Sequence, residues 1–233
     1  MAVKACLNGA RTRAEHPAVP LTPAELGADA KAVREAGAFA VHVHPRAAGG
    51  EQTLAAKACD AAVAAIRAAV RALPVGLSTS EGIDPDPFAR AAAFKSWHHR
   101  PDFVSVNLSE LGWGGIMRAA LHAGIAVEAG LESPAEAEEL ARSPFAHRIV
   151  RALVEVDGGE PEARAISQLI PRGVSQLWHG YGDRTWEVIA AAATAGFDAR
   201  VGLEDVLVLP DGRVAADNAE LVAAAVELTG RRP

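Results

Sequence analysis

Two histidines, one residue apart, close a β-like run, Val41-His42-Val43-His44. Side chains alternate along a strand, so both rings leave the same face. Val41 and Val43 suit an apolar, helix-facing side, which turns His42 and His44 inward. Neutral imidazoles carried ~6–7 Å apart along one strand can share a small cation, and zinc accepts His together with a carboxylate. A carboxylate is available in Arg200-Val201-Gly202-Leu203-Glu204-Asp205. The alternation that points Arg200 inward also carries Gly202 and Glu204 inward. Two His and one Glu leave a coordination position open, the pattern of a catalytic rather than a closed structural site. Arg200 beside Asp205 reads as a charge pair holding both groups in place; a surface salt bridge is the plainer alternative. Two inward histidines have no comparably plain account, because a buried imidazole without a partner is costly.

Residues so far apart in sequence need a scaffold that brings their strands together. Short β-like runs at 3–8, 39–44, 75–78, 103–107, 125–128, 149–156, 174–178 and 197–201 alternate with helical stretches at 23–36, 54–73, 85–94, 115–122, 134–141, 160–170, 185–195 and 218–228. Thr22, Pro23 and Glu25 form a capping box with Pro at the first helical position, and Ser133, Pro134 and Glu136 repeat the pattern. Gly37, Gly124 and Gly196 stand where helices should stop. This alternation predicts a parallel sheet. Eight units without a glycine-rich dinucleotide fingerprint favour a closed (β/α)8 TIM barrel, one catalytic domain over residues 1–233, with its site at the C-terminal ends of the strands. Strand eight is then two places from strand two, so Glu204 reaches the metal of His42 and His44.

Asn8, Ser78, Thr79, Ser80, Ser105, Asn107 and Glu128 fall at the expected strand ends and are candidates for substrate contact, although any single polar rim residue is ordinary. Glu128 reads equally as a site wall or a rim charge. Trp178-His179-Gly180-Tyr181-Gly182 lies beyond the seventh strand on this reading, and its glycines match no recognised phosphate loop. His16, His98 and His99 read as loop residues. Cys6 and Cys59 read as buried thiols in a reducing cytoplasm.

The net charge of −6 argues against a nucleic-acid partner, which needs a concentrated basic face. No run approaches ~18 apolar residues, which argues against a membrane span. Residues 1–8, soon followed by Arg11 and Arg13, do not read as a signal peptide.

In order along the chain stand Ala5-Cys6-Leu7-Asn8-Gly9-Ala10, then Thr22-Pro23-Ala24-Glu25, His42-Val43-His44-Pro45-Arg46, Leu77-Ser78-Thr79, Val104-Ser105-Val106-Asn107, Arg200-Val201-Gly202-Leu203-Glu204-Asp205 and Asn218-Ala219-Glu220-Leu221-Val222. This order resembles the β-keto acid cleavage enzymes, the family named for 3-keto-5-aminohexanoate cleavage. The resemblance spans nearly the whole chain. It implies a TIM barrel holding one zinc on His42, His44 and Glu204. It also implies Arg200 and Asp205 as a catalytic pair and Ser78 as a holder of the keto acid. The implied reaction converts a β-keto acid and acetyl-CoA into a new CoA ester and acetoacetate, in a homo-oligomer of two or four chains.

Two departures stand out. Arg11 replaces a Glu that the family links to a substrate amino group, which argues against an amino-bearing substrate and for an anionic one, and places Arg11 among the candidate substrate contacts. Ser78-Thr79-Ser80-Glu81 stands where the family has Ser-Thr-Gly-Gly. Competing readings are a zinc hydrolase or aldol-type lyase on the same barrel, and a metal- or metabolite-binding barrel without turnover.

Overall fold

The apolar runs form strands and the alanine-rich stretches between them form helices, as their periodicities require. The structure, a computed structural model, describes residues 1–230. The strands are β1 (Val3–Cys6), β2 (Ala38–Val43), β3 (Val75–Ser78), β4 (Phe103–Asn107), β5 (Ala126–Leu131), β6 (Arg151–Val156), β7 (Gln176–Gly180) and β8 (Asp198–Val201). The helices are α1 (Pro23–Glu35), α2 (Ala56–Ala69), α3 (Pro87–Ala93), α4 (Trp113–His122), α5 (Pro134–Arg142), α6 (Glu160–Ser167), α7 (Thr185–Ala195) and α8 (Asn218–Leu228). All strand pairings are parallel. β1 pairs with both β2 and β8, closing the sheet into a barrel in chain order, a (β/α)8 TIM barrel.

Local signals act where the sequence places them. Thr22 caps α1, with Glu25 completing the capping box. Gly196 ends α7 at a φ of 80°, a left-handed position that a side chain would strain.

Alternation sorts the strand residues between two environments. Val41, Val43, Val104, Val106, Val127, Val154, Trp178 and Val201 face outward and join the helices in the main apolar core. Each such Val fully removed from water contributes roughly 1.5–3 kcal/mol. The opposite faces point into the lumen, whose floor is charged. Lys4 and Glu128 form a fully buried ion pair, and Arg151 Nε lies 3.2 Å from Glu128 Oε1. Arg151 also stacks 4.8 Å from the centroid of Phe39. Gly76 leaves room for Phe103 beneath the site, since a Cβ there would stand 2.1 Å from the ring.

Among the elements whose ends differ from the expected boundaries, β5 and β7 matter most for the site. β5 continues through Ala129 and Gly130 to Leu131, so Glu128 lies inside the strand rather than at its end. It belongs to the floor, with both oxygens facing cations, and does not stand at the rim as expected. The glycine reads as a strand end because glycine weakens strand interiors. β7 begins two residues later than expected and runs to Gly180, which brings His179 into the barrel.

Candidate active site

His42 ends the lumenal face of β2, and His44 follows it one step higher. Their Nε2 atoms are 3.1 Å apart. Glu204, from the turn after β8, places Oε1 3.6 Å from His44 Nε2 and Oε2 3.9 Å from His42 Nε2. One ligand atom from each of the three falls within 4.8 Å of the others. Backbone packing positions the carboxylate. A Cβ on Gly9, whose φ is +51°, would stand 2.4 Å from Glu204 Cγ, and a Cβ on Gly202 would stand 1.9 Å from Cys6 O. Glycine at both places lets the β1 and β8 ends approach closely enough for Glu204 to reach β2.

The surroundings hold the ligand atoms in a form suited to a metal. His44 Nδ1 bonds Gln52 Oε1, which keeps the His44 Nε2 lone pair free. The Asn8 amide donates to His44 O at 2.9 Å and accepts from His44 N at 2.9 Å, so Asn8 fixes the backbone of the ligand rather than facing the cavity. Burial lowers the basicity of His42 well below its ordinary value and favours the neutral ring that metals require. Burial works to raise Glu204, but Arg200 and the two histidines outweigh it and hold the carboxyl well below its ordinary range. Glu204 Oε2 and His42 Nδ1 are buried without a hydrogen-bond partner among the described residues. Two imidazoles and a carboxylate oxygen lacking a donor fit a divalent cation of the zinc class.

Arg200 stands beside this group, buried on β8. Its Nε lies 3.1 and 3.2 Å from the two Asp205 oxygens, and its Nη2 donates to Asp205 Oδ1 at 2.7 Å and to Glu204 Oε1 at 2.6 Å. Burial opposes its charge, but Asp205, Glu204 and Glu155 hold the guanidinium charged well above its ordinary range. Nη1 is the end left over. Its nearest acidic neighbour is Glu155 Oε2 at 3.9 Å, and it is the donor directed at the cavity.

The cavity, of about 260 Å³, opens at the C-terminal ends of the strands. His42, His44, Arg200 and Glu204 line one part of it, and Ser78, Ser80, Ser105 and Asn107 another. Of the residues expected at the rim, three others are occupied elsewhere. Thr79 Oγ1 donates to Ser105 O at 2.6 Å, and Thr79 O accepts from the buried Arg90, which pairs with Glu110 and braces the turn after β3. Asn8 clamps His44 and Pro20 as well. Arg11, expected to face an anionic substrate, pairs with Glu15 at 3.0 Å and does not line the cavity. The reason is local, because a turn at Thr12 brings the Glu15 carboxylate within reach.

Sequence reasoning missed Glu155, His179 and Tyr181. Glu155 and His179 face each other across β6 and β7. His179 Nε2 lies 2.9 Å from Glu155 Oε2, and Tyr181 OH donates to the same oxygen at 2.8 Å. Burial pushes the Glu155 carboxyl up, but His179, Arg200 and Tyr181 outweigh it and bring it down to about 2. The signal was present. Arg151, Leu153 and Glu155 alternate with Ala152, Val154 and Val156, so the rule that turned His42 inward also turns Glu155 inward. His179 was hidden by the misplaced end of β7.

Fold and site together define a (β/α)8 barrel with a candidate metal centre and an adjacent Arg–Asp pair at the catalytic face of the barrel. The family model described as beta-keto acid cleavage enzyme matches residues 1–156 and 160–232, and the chain belongs to that family. It is 25% identical to a 3-keto-5-aminohexanoate cleavage enzyme of Fusobacterium nucleatum subsp. nucleatum, over 97% of this chain and 90% of the relative. Among solved structures, a binary complex of ObcA with oxaloacetate superposes with a TM-score of 0.72 at 17% identity, over 91% of this chain and 63% of that one. The 3-hexulose-6-phosphate synthase of Salmonella typhimurium superposes with a TM-score of 0.60 at 16% identity, over 98% of each chain. The chain thus spans under two thirds of the length of ObcA. Both likenesses are of fold.

Proposed function

We propose that this β-keto acid cleavage family member condenses a β-keto acid with acetyl-CoA, releasing a new acyl-CoA and acetoacetate, in a zinc-dependent reaction. The observation that carries the reading is the convergence of His42, His44 and Glu204 beside the free Nη1 of a buried Arg200, inside a cavity that suits a small acid. His42, His44 and Glu204 would hold the zinc, which supplies Lewis acidity to a keto oxygen and so acidifies the carbon between keto group and carboxylate.

The protein's own groups supply orientation and charge. Arg200 Nη1 donates to the substrate oxygen on which negative charge develops. Asp205, holding Nε and Nη2, prevents the guanidinium from turning away, so the donor needs no reorganisation during reaction. Ser78, with Ser105 and Asn107 beside it, offers short polar contacts to the acid. Asn8 and Thr79 contribute by fixing the strand ends. Cytoplasmic residence and a homo-oligomer of two or four chains belong to the same reading. No helix among the described residues is long and apolar enough to cross a membrane.

The test is a panel of β-keto acids incubated with zinc-loaded protein and acetyl-CoA, followed by acetoacetate formation. Acetoacetate and a matching acyl-CoA should appear together and only when acetyl-CoA is present. Keto-acid consumption that proceeds equally without a CoA ester rejects acyl transfer in favour of hydrolysis or aldol-type cleavage.

A further inference from the structure

The wall of the cavity across the lumen from β2 is built differently from the rest. β2 and β6 are four strands apart in an eight-stranded barrel, so Glu155 faces His42 and His44 from the other side of the lumen. Glu155 is 4% exposed and lines the cavity. Its Oε2 is taken, accepting from Tyr181 OH and from His179 Nε2. Its Oε1 accepts no hydrogen bond from any described residue. That oxygen lies over Gly130, where a Cβ would collide with it and with Asn107 Oδ1. Gly130 therefore keeps open the space in which two acceptor oxygens, Glu155 Oε1 and Asn107 Oδ1, stand together. An ionised carboxylate accepts at both oxygens, so Oε1 is left to a donor that enters the cavity. Its low basicity makes Glu155 a poor proton acceptor and a standing hydrogen-bond acceptor.

We propose that Glu155, held by His179 and Tyr181, selects the side chain of the substrate. The cavity takes a β-keto acid whose chain, directed away from the metal centre, carries an O–H or N–H donor, a hydroxyl or an ammonium. Glu155 acts here as a binding residue, and His179 and Tyr181 position it. This inference rests on the reaction proposed above. A site built to bond a donor discriminates strongly against the analogue lacking it, because the acceptor is then left unpaired.

The experiment compares kcat/KM of the zinc-loaded wild type and Glu155→Gln on β-keto acids of one carbon skeleton ending in hydroxyl, ammonium or methyl. The glutamine keeps its oxygen toward the two donors and presents its NH₂ to the cavity. Wild type should favour at least one donor-bearing acid over the methyl acid by tenfold or more, and the ratio should fall at least tenfold in Glu155→Gln. The preferred donor tells hydroxyl from ammonium, and either supports the inference. Gly130→Ala, which pushes on Oε1 without touching the carboxylate's chemistry, should lower the same ratio and stands in if Glu155→Gln does not fold. A wild-type ratio near one, or a ratio unchanged in both variants, overturns the inference and leaves the reaction intact. Absence of turnover with every acid instead counts against the reaction. Calorimetric binding of the same acids without acetyl-CoA then decides: tighter binding of a donor-bearing acid by wild type than by Glu155→Gln supports the role of Glu155, and equal binding overturns it.

Discussion

Two buried lone-pair donors and one carboxylate oxygen converge at the mouth of the lumen, and the loss of one of them, or of a neighbour that holds it, should be measurable. Removing an imidazole, as in His44→Ala, should strip most of the zinc, and full occupancy by elemental analysis would exclude it as a ligand. Gln52 holds the His44 ring by its second nitrogen. Partners of this kind typically control metal affinity by 10–100-fold, so Gln52→Leu should weaken zinc binding by about that factor in a chelator competition. Arg200→Ala should leave zinc in place and lower kcat by roughly 10²–10³, the usual cost of losing a donor aimed at developing charge. Retained turnover in that variant would remove Arg200 from the chemistry. His42 and Arg200 were legible in the sequence because the alternation of β2 and β8 fixes their faces, and Glu204 and Asp205, in the turn after β8, were legible as the polar groups that follow Arg200 at a strand end. Arg11 was not legible. Whether its cation faces a ligand or Glu15 depends on a turn at Thr12 that no period describes.

At the scale of elements, the site depends on how the ends of β1 and β8 meet the first turn of α8. Asn218 carries that junction. Its Nδ2 donates to Leu7 O at 2.8 Å and to Asp29 Oδ2 at 2.7 Å, and its Oδ1 accepts from Leu203 N at 2.7 Å. One amide thus ties the residue before Asn8 to the residue before Glu204. Asn218→Ala leaves a buried N–H and carbonyl unpaired and should cost about 1–3 kcal/mol in urea denaturation. An unchanged midpoint would show that water replaces the bonds. The elements themselves were readable from start and stop signals, and all eight strand–helix pairs stand where alternation places them. Their ends were less readable. Ala129 and Gly130 extend β5 because the neighbouring strands pair with them, and this tertiary pairing overrides the local weakness of glycine in a strand. That extension moves Glu128 from the expected rim to the floor.

For the molecule as a whole, the junction of α1 with α8 gives a pH dependence that can be read with sign. Burial lifts the carboxyl of Asp29 to about 7, only partly countered by the Asn218 hydrogen bond. The unfolded chain loses this proton near 3.8 and the folded chain near 7. The folded state therefore binds more protons across that range, and the stability this group contributes is lost as pH rises through about 7. Asp29→Asn cannot ionise and keeps its partner. Its stability relative to wild type should be higher at about pH 8 than at about pH 5, and a difference independent of pH would refute the assignment. The sequence by itself determined the barrel and the inward face of each strand, and it singled out His42, His44, Arg200, Glu204 and Asp205, because hydrophobic period and residue type are local properties. Only the tertiary structure decided that Glu128 supports the floor, that Arg11 turns to Glu15, and that Glu155, His179 and Tyr181 complete the far wall. Those outcomes depend on where strands end and which groups meet across the lumen, and both are settled by packing between distant parts of the chain.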